Sequence, residues 1–251
     1  MMNRIQHKTE LWKLCKTKGQ ILLGLGLDFF AKGKLEEYNN IQIFREEVAV
    51  NARFLHRGYY CPSPVQEFIV SNSRRGKLLL RPTNRSRISH RYAYDLDDRL
   101  VVVEATLPDG TKKLEYLVYG DGIRYGFAFD SWGSLVGVSE EVFDGDKLVS
   151  YFCGSCYNHV ADGIDFGITT AHYEKYYYDA DGLKDVDYYF TNLWCDSVDS
   201  PDDVDIIIQG GKYRFVRENG YLVGFYTLNF DGEPFDSNPY ITPISKPKKA
   251  H

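Results

Sequence analysis

The last two-thirds of the chain alternate short apolar runs with turn-forming residues. Runs with strand-like alternation cover residues 113–119, 213–216 and 221–228, and a period of two is typical of strands that bury one face. Asp-Gly and Asn-Gly pairs supply the positive φ angles that tight hairpins need. These pairs stand at 109–110, 144–145, 162–163, 181–182, 219–220 and 231–232. Turns at this spacing predict an antiparallel meander rather than βαβ units.

Many of the turns share one phrase: an aromatic residue, then Asp, a few turn-forming residues and Leu. Copies occupy residues 94–100, 129–135, 143–148, 178–183 and, more loosely, 226–232. Asp95 and Asp144 are 49 residues apart, and so are Asp130 and Asp179. A repeated unit of several hairpins explains this spacing, and so does a composition in which such hairpins simply recur. Both interpretations predict a large twisted sheet or an open barrel.

The first 88 residues carry a different, mixed pattern. Residues 8–18 predict a short helix that Gly19 ends, residues 20–30 look extended, and residues 46–55 favour a helix. Residues 1–90 hold 16 Lys and Arg against 7 Asp and Glu, whereas residues 91–251 hold 14 against 28. We therefore expect a mainly β protein, with a basic mixed α/β segment over 1–88 and an acidic antiparallel β-repeat domain over 89–251.

Composition favours the cytoplasm. Five cysteines are an odd number, so a fully paired disulfide framework is impossible and a reducing compartment is favoured. The apolar run 21–27 follows several lysines, but no small-residue cleavage site comes after it, so we do not interpret it as a signal peptide. No run reaches the roughly 18 apolar residues that a membrane span needs.

No constellation of residues specifies a reaction. Cys153 and Cys156, followed by His159, have the spacing of half a zinc site, but no second ligand pair stands at a diagnostic distance. A redox role needs a helix N-terminus, whereas this pair lies among predicted strands. We expect no enzyme activity, no metal and no cofactor. Metal, redox and hydrolytic alternatives stay open, because catalytic triads assemble from distant positions.

Two features suit a surface that binds a protein. Five carboxylates fall within ten residues, at Asp196, Asp199, Asp202, Asp203 and Asp205. Such a cluster accelerates association with a basic partner, although a solvated loop is the simpler interpretation. Clustered tyrosines are candidate exposed anchors, at Tyr176, Tyr177, Tyr178, Tyr188 and Tyr189. The basic stretch 74–91 could bind RNA, but it has few aromatic residues nearby to stack on a base, and the acidic remainder of the chain repels a polyanion.

The phrase Tyr-Asp-x-x-Gly-x-Leu resembles the YD repeats of the Rhs family, which build β-shells around toxin domains. The best matches are residues 129–135 and 178–183, whereas Asp98 stands where the glycine belongs after Tyr94 and Asp95. In its degenerate form the motif also resembles that of small acidic β-rich proteins encoded beside polymorphic toxins. The whole chain is similar to such an immunity protein of toxin or contact-dependent growth inhibition systems.

The resemblance implies a bacterial, cytoplasmic immunity protein. Such a protein would bind a basic toxin domain, for example a nuclease, and occlude its active site as a monomer or in a 1:1 complex. Membranes and nucleic acids are not expected partners. A non-catalytic YD-type structural or carbohydrate-binding β module is the alternative, and an enzyme with an unrecognised site is a third.

Overall fold

The computed structural model describes residues 4–33, 40–83, 86–160, 164–193, 208–218, 221–229 and 232–241. Within these ranges 13 strands form one antiparallel sheet, accompanied by two α-helices. The predicted class, mainly β with an antiparallel meander, is confirmed. The strand order is β2-β1-β3, followed by β4 to β13 in sequence, so the sheet is open and β2 and β13 form its edges.

The elements follow one another along the chain with few interruptions. The helices are α1 Arg4–Ala31 and α2 Gln66–Ile69, with a 3-10 turn at Gly58–Tyr60. The strands are β1 Arg45–Val50, β2 Lys77–Leu79, β3 Ile88–Tyr94, β4 Leu100–Thr106, β5 Lys112–Tyr119, β6 Ile123–Phe129, β7 Leu135–Asp144, β8 Lys147–Val160, β9 Ile164–Asp179, β10 Gly182–Asn192, β11 Ile208–Glu218, β12 Tyr221–Leu228 and β13 Tyr240–Ile241.

Helix α1 is longer than the sequence pattern indicates. It continues through Gly19 to Ala31, so the predicted helix end at Gly19 and the predicted extended segment over 20–30 are wrong. A Cβ atom at Gly19 would lie 3.1 Å from Ile168, so this glycine lets the helix approach β9 closely. The buried residues recur with helical spacing, at Leu11, Trp12, Cys15, Leu22, Leu23 and Phe29.

Strand β1 overturns the helical interpretation of residues 46–55. Its residues pair with β3 on one side and with β2 on the other. Val48 and Ala49 are adjacent and both buried, so this strand buries side chains on both faces of the sheet. Because β1 and β2 precede residue 88, the sheet continues across the predicted boundary between the two parts of the chain. No helix in the described ranges has the length and apolar character that crossing a membrane requires.

The recurrent Asp phrase is a hairpin turn with a fixed hydrogen-bond pattern. The Asp95 N–H donates to the carbonyl of Arg99, and its Oδ1 accepts the N–H groups of residues 97 and 99. Asp130 makes the same bonds within 130–134. The fourth position needs a positive φ, which is 81° at Gly133 and 58° at Asp98. Asp98 thus replaces the glycine without changing the turn.

Turns that lie 49 residues apart in the sequence differ in structure. The turn that begins at Asp130 has five residues, whereas Asp179 pairs directly with Gly182 across a two-residue loop. Asp95 and Asp144 differ in the same way, because Asp144 pairs directly with Lys147. The spacing therefore does not mark a structural repeat. The phrase reflects turn chemistry that recurs along a meander.

Two parts of the N-terminal segment cover the two faces of the sheet. On one side, called the helix face, α1 packs on β7 and β9. On the other side, called the segment face, residues 51–76 reach from Glu115 on β5 to Phe215 on β11. Successive strand residues point to opposite faces, so each central strand contacts α1 with one set of side chains and residues 51–76 with the other. The segment face carries most of the buried polar groups.

Candidate functional site

Arg57 is the centre of a buried ionic cluster on the segment face. Its backbone is left-handed, with φ 57°, and its carbonyl accepts the hydroxyl of Tyr92 at 2.9 Å. Its side chain is 1% exposed and donates to Glu115 at 2.7 Å, to Ser139 at 2.9 Å and to Glu141. The cluster ties residues before β2 to β5 and β7, and so fixes the cover onto the sheet.

Gly126 on β6 makes room for this cluster. It lies between Leu117 of β5 and Ser139 of β7 in the sheet register. A Cβ atom at Gly126 would lie 2.1 Å from Oε1 of Glu115 and 2.6 Å from Nη2 of Arg57. No side chain fits at that position without moving the charged groups.

Opposite charges keep both carboxylates of the cluster ionised. Burial raises the pKa of Glu115, but the charge of Arg57 outweighs it and holds that pKa well below its usual range. The pKa of Glu141 is lowered for the same reason, with Arg124 as a second cation that donates through Nε at 2.9 Å. Two arginines therefore balance two carboxylates beneath residues 51–76.

His56 extends the cluster toward β8. Its Nε2 lies 2.9 Å from Oε2 of Glu115, and its Nδ1 lies 2.6 Å from the hydroxyl of Tyr151. Burial lowers the pKa of His56, and burial raises the pKa of Tyr151 well above its usual value. The imidazole is thus neutral, with Nε2–H donating to Glu115 and Nδ1 accepting from Tyr151. This arrangement can orient a side chain or pass a proton.

A cavity of about 220 Å³ lies beside His56. Its floor is formed by the small residues Ala128, Gly137 and Gly154 of the sheet. Its walls carry the polar side chains Lys113, Ser155, Thr170, Cys153 and His172, with Phe54 and Gln66 contributed by the cover. Cross-strand pairing places Ser155 opposite Thr170 and Cys153 opposite His172. A concave site with convergent polar groups suits a small molecule.

The Cys153/Cys156 pair does not form one site. Cys153 packs in the core of the segment face, and Cys156 packs against the core of the helix face. Residues three apart in a strand point to opposite sides, so the two thiols cannot bind one ion or form a bond. Burial raises the pKa of Cys153 to about 11 and that of Cys156 to about 12. In the described part of the chain no three His, Cys, Asp or Glu side chains are grouped to hold a metal ion.

A second buried polar group surrounds Glu174 on β9. This carboxyl group is fully buried, and burial raises its pKa. It accepts hydrogen bonds from Ser63 at 2.6 Å, from Gln66 at 2.9 Å and from Tyr176. All three donors are themselves buried, so the group fastens α2 to the sheet instead of facing solvent.

Three of the five predicted tyrosine anchors are not exposed, and that part of the prediction is wrong. Tyr176, Tyr188 and Tyr189 are 4%, 6% and 7% exposed. The physical reason is the double cover, because residues 51–76 bury Tyr176 and Tyr188 while α1 buries Tyr189. Tyr177 and Tyr178 are half-buried, and their hydroxyls donate to Asp187 and to the Leu148 carbonyl, both at 2.8 Å.

The predicted acidic cluster lies outside the described residues. Asp196, Asp199, Asp202, Asp203 and Asp205 all fall between Leu193 and Ile208, the residues that bound that gap. The ends of the gap are placed: both Leu193 and Ile208 are buried in the core beside α1. The role of the five carboxylates in binding stays a prediction.

Helix α1 exposes several apolar side chains on its outer side. Leu14, Ile21 and Leu25 are 42%, 60% and 41% exposed and follow one line along the helix. A shallow groove of about 190 Å³ runs beside Ile21 toward Glu140 of β7. Phe30 at the helix end is also exposed, and its ring stacks on Phe129 at 6.0 Å.

Sequence reasoning missed the ionic cluster and the cavity. Arg57, Glu115 and Glu141 lie on separate elements, and nothing in their local sequence marks a common site. One signal was available: Glu115 and Leu117 share the inward phase of a predicted strand, where a carboxylate requires a buried cation. Searches with the chain against family models and curated proteins, and with its fold against solved structures, found no match.

Proposed function

We propose that this chain is a cytoplasmic immunity protein. It binds a basic toxin domain, such as a nuclease, as a monomer in a 1:1 complex, and it occludes the toxin's active site without catalysing a reaction. The proposal rests on one observation above all: helix α1 carries an exposed apolar line and shares its core with the described residues at both ends of the most acidic stretch of the sequence.

The apolar line supplies a contact that a partner can bury. Leu14, Ile21 and Leu25 leave apolar area in water although the opposite side of the same helix is fully packed. Exposed apolar patches on a polar background are typical of protein interaction sites. The groove beside Ile21 can receive a side chain of the partner.

The acidic stretch supplies the charge that would select a basic partner. Lys8 of α1 donates to the carbonyl of Ile208 at 3.0 Å, and Leu193 packs in the same core as Leu11. Leu193 and Ile208, the described residues on either side of this stretch, therefore both lie next to α1. Its five aspartates would steer a basic domain toward the apolar line.

The described interior supports binding over catalysis. Arg57 donates to both Glu115 and Glu141, and all three residues are buried away from solvent. Burial raises the pKa of the described cysteines, to about 12 at Cys15 and at Cys61. A thiol with such a pKa is protonated at neutral pH and is a poor nucleophile.

The test is co-expression with the product of the gene immediately upstream in a bacterial host. The chain should restore growth in the presence of an active toxin, and the purified pair should form a saturable 1:1 complex by calorimetry. Ile21→Glu should weaken that complex by about tenfold or more, because a charge would enter an apolar contact.

Leu80→Glu is the matched control. Leu80 is fully exposed and follows β2 at the edge of the sheet, far along the strand order from β7 and β9. This variant should bind like the wild type. A chain that binds glycans and no protein, or equal losses in both variants, would contradict the proposal.

A further inference from the structure

The cavity on the segment face has no part in the proposed protein contact. It lies under residues 51–66, whereas α1 and its exposed line lie on the opposite face of the sheet. The ionic cluster stops at its border, since Arg57, Glu115 and Glu141 do not line it. Its shape and charge therefore need a separate explanation.

Lys113 is the one charged side chain among the described residues that line the cavity. No carboxylate lies within ion-pair distance of its ammonium group in the described part of the chain. The ammonium reaches across the floor, since a Cβ atom at Gly137 would lie 3.2 Å from Nζ of Lys113. A half-buried cation without a counter-ion inside a concave site attracts an anion.

The other titratable groups of the cavity are neutral near pH 7. Burial lowers the pKa of His172 to about 4 and lowers that of His56 as well. Burial raises the pKa of Cys153 to about 11. Among the described residues that line the cavity, no group carries a charge that cancels that of Lys113.

Hydroxyl donors stand beside the ammonium group. Ser155 pairs with Gly137 on one side and with Thr170 on the other, so the two hydroxyl side chains are cross-strand neighbours on the cavity wall. Ser155 is exposed at the mouth of the cavity. Two hydroxyls and an ammonium group match the acceptor atoms of one carboxylate.

The rest of the lining is apolar and limits the size of the ligand. Ala128, Gly137, Val138 and Gly154 present carbon atoms and backbone, and the Phe54 ring stands at the rim. A volume of about 220 Å³ exceeds the roughly 150 Å³ of an engineered cavity that binds benzene. A ring or branched chain that carries one acidic group fits this space.

The Phe54 backbone provides an independent sign of function. Phe54 adopts φ 58° and its side chain is 66% exposed, although bulky residues rarely enter the left-handed region. Strain of this kind persists at ligand sites when the surrounding structure enforces it. Here the neighbouring Arg57 is fixed in the ionic cluster, so the strained residue is held at the mouth of the cavity.

We propose that this cavity binds a small organic monocarboxylate with an apolar body. Lys113, Ser155 and Thr170 bind the carboxylate, and the small residues of the sheet with Phe54 contact the body. The ligand would occupy the protein independently of a protein partner, because the cavity and the apolar line of α1 lie on opposite faces.

The test uses benzoate as the probe, with calorimetry and thermal shift on the full chain. Benzoate should bind saturably at one site and raise the melting temperature, while benzamide, its neutral analogue, should bind about tenfold more weakly or worse. Lys113→Met should weaken benzoate binding by a similar factor. Equal binding of benzamide, or of inorganic phosphate, would overturn the assignment to an apolar carboxylate.

Two further variants keep the test decisive. Lys112→Met removes the neighbouring lysine, which is exposed on the other face and pairs with Glu104 at 3.0 Å, and it should leave benzoate binding unchanged. Ser155→Leu fills the mouth from an exposed position, so the fold should persist and binding should be lost. Retained binding in Ser155→Leu, with unaltered circular dichroism, would contradict the site.

Discussion

The helix face and the segment face of the sheet are built from the same strands but hold their covers by different interactions. On the helix face, side chains such as Leu22 and Phe29 of α1 pack against Phe127 and Leu135. On the segment face, Arg57 and Glu174 bind their partners through buried, directional contacts. Burial of apolar area is roughly proportional to the area removed from water, whereas a buried charge requires its specific partner.

The difference concerns tolerance. In apolar packing, a change of one side chain lowers the free energy of unfolding by a moderate amount, and substitutions of similar volume are tolerated. In a buried ionic cluster, the removal of one member lowers the free energy of unfolding strongly, because it leaves an opposite charge buried without a partner. We therefore expect the packing of α1 to contribute mainly to the stability of the protein. We expect Arg57 to hold residues 51–76 in one conformation.

Replacement of Arg57 should have the largest effect. Arg57→Met leaves Glu115 and the Arg57 side of Glu141 without a cation, and breaking a buried pair in this way costs about 3 to 5 kcal/mol. Urea denaturation followed by circular dichroism measures this loss. The double variant Arg57→Met with Glu115→Gln should lose less than the sum of the two single losses, since both members of one pair are removed.

Arg214→Met is the control for that comparison. Arg214 pairs with Asp185 at 2.9 Å on a partly exposed part of the sheet, and exposed pairs contribute about 0 to 1 kcal/mol. Similar losses for Arg57→Met and Arg214→Met would show that the buried cluster does not differ from a surface pair. The contrast between the two faces would then be unfounded.

One methyl group added to each face should give smaller effects, and the two effects should differ in size. Gly126→Ala places a Cβ 2.1 Å from a Glu115 oxygen and should cost about 2 to 3 kcal/mol, a value expected for overpacking with disrupted polar contacts. Gly26→Ala places a Cβ 2.8 Å from the end of the Leu135 side chain, which can shift, and 3.0 Å from a ring carbon of Phe127. A gain of about 1 kcal/mol in helix propensity offsets that contact.

Thermal or urea unfolding of both alanine variants decides the point. We expect Gly26→Ala to remain within about 1 kcal/mol of the wild type. If Gly126→Ala is equally mild, the charged groups move aside easily and the cluster is not rigid. If Gly26→Ala destabilises the protein more than Gly126→Ala does, the helix face is the more tightly packed of the two.

Acid should loosen the segment face first, with a modest effect per histidine. Burial lowers the pKa of His90 from 6.5 to about 4, and that of His172 likewise. Below pH 6.5 the unfolded chain binds protons at these groups while the folded chain does not until about pH 4. Stability that is complete above pH 6.5 is therefore lost as the pH falls through this window.

The variant His90→Phe measures how much of the acid sensitivity comes from His90. The His90 ring stacks on Tyr92, and its buried Nδ1 has no hydrogen-bond partner among the described residues, so a phenyl ring can replace it. Between pH 7.5 and pH 5 the variant should lose about 1 to 2 kcal/mol less stability than the wild type does. An unchanged pH dependence, from urea titrations at several pH values, would exclude His90 as a source of the acid sensitivity.

The meander was predictable because its signals are local. Asp130 and its neighbours specify a turn within five residues, and the alternation on either side specifies the strands. Helix α1 was only half predicted because Leu14, Ile21 and Leu25 make its outer side apolar, and this masks the helical period. The short strand β1 was missed because its partners lie about 30 to 50 residues further along the chain.

The covers were not predictable for the same reason. Arg57 contacts Glu115 across 58 residues, and Ser63 contacts Glu174 across 111. Whether Tyr176 is exposed depends on where residues 51–76 come to lie, and no local pattern contains that information. The function stays a proposal that derives from charge, from resemblance and from the exposed line on α1.

The order of α1 and its partners along the chain also has a consequence for synthesis. Lys8 binds the carbonyl of Ile208, a residue 200 positions later, and Lys18 pairs with Glu140 across 122 positions. The helix therefore leaves the ribosome long before the strands that receive it, with Leu22 and Phe29 still uncovered. The thiol of Cys15, fully buried in the finished fold, becomes protected only when α1 docks, and its labelling in nascent chains dates that event.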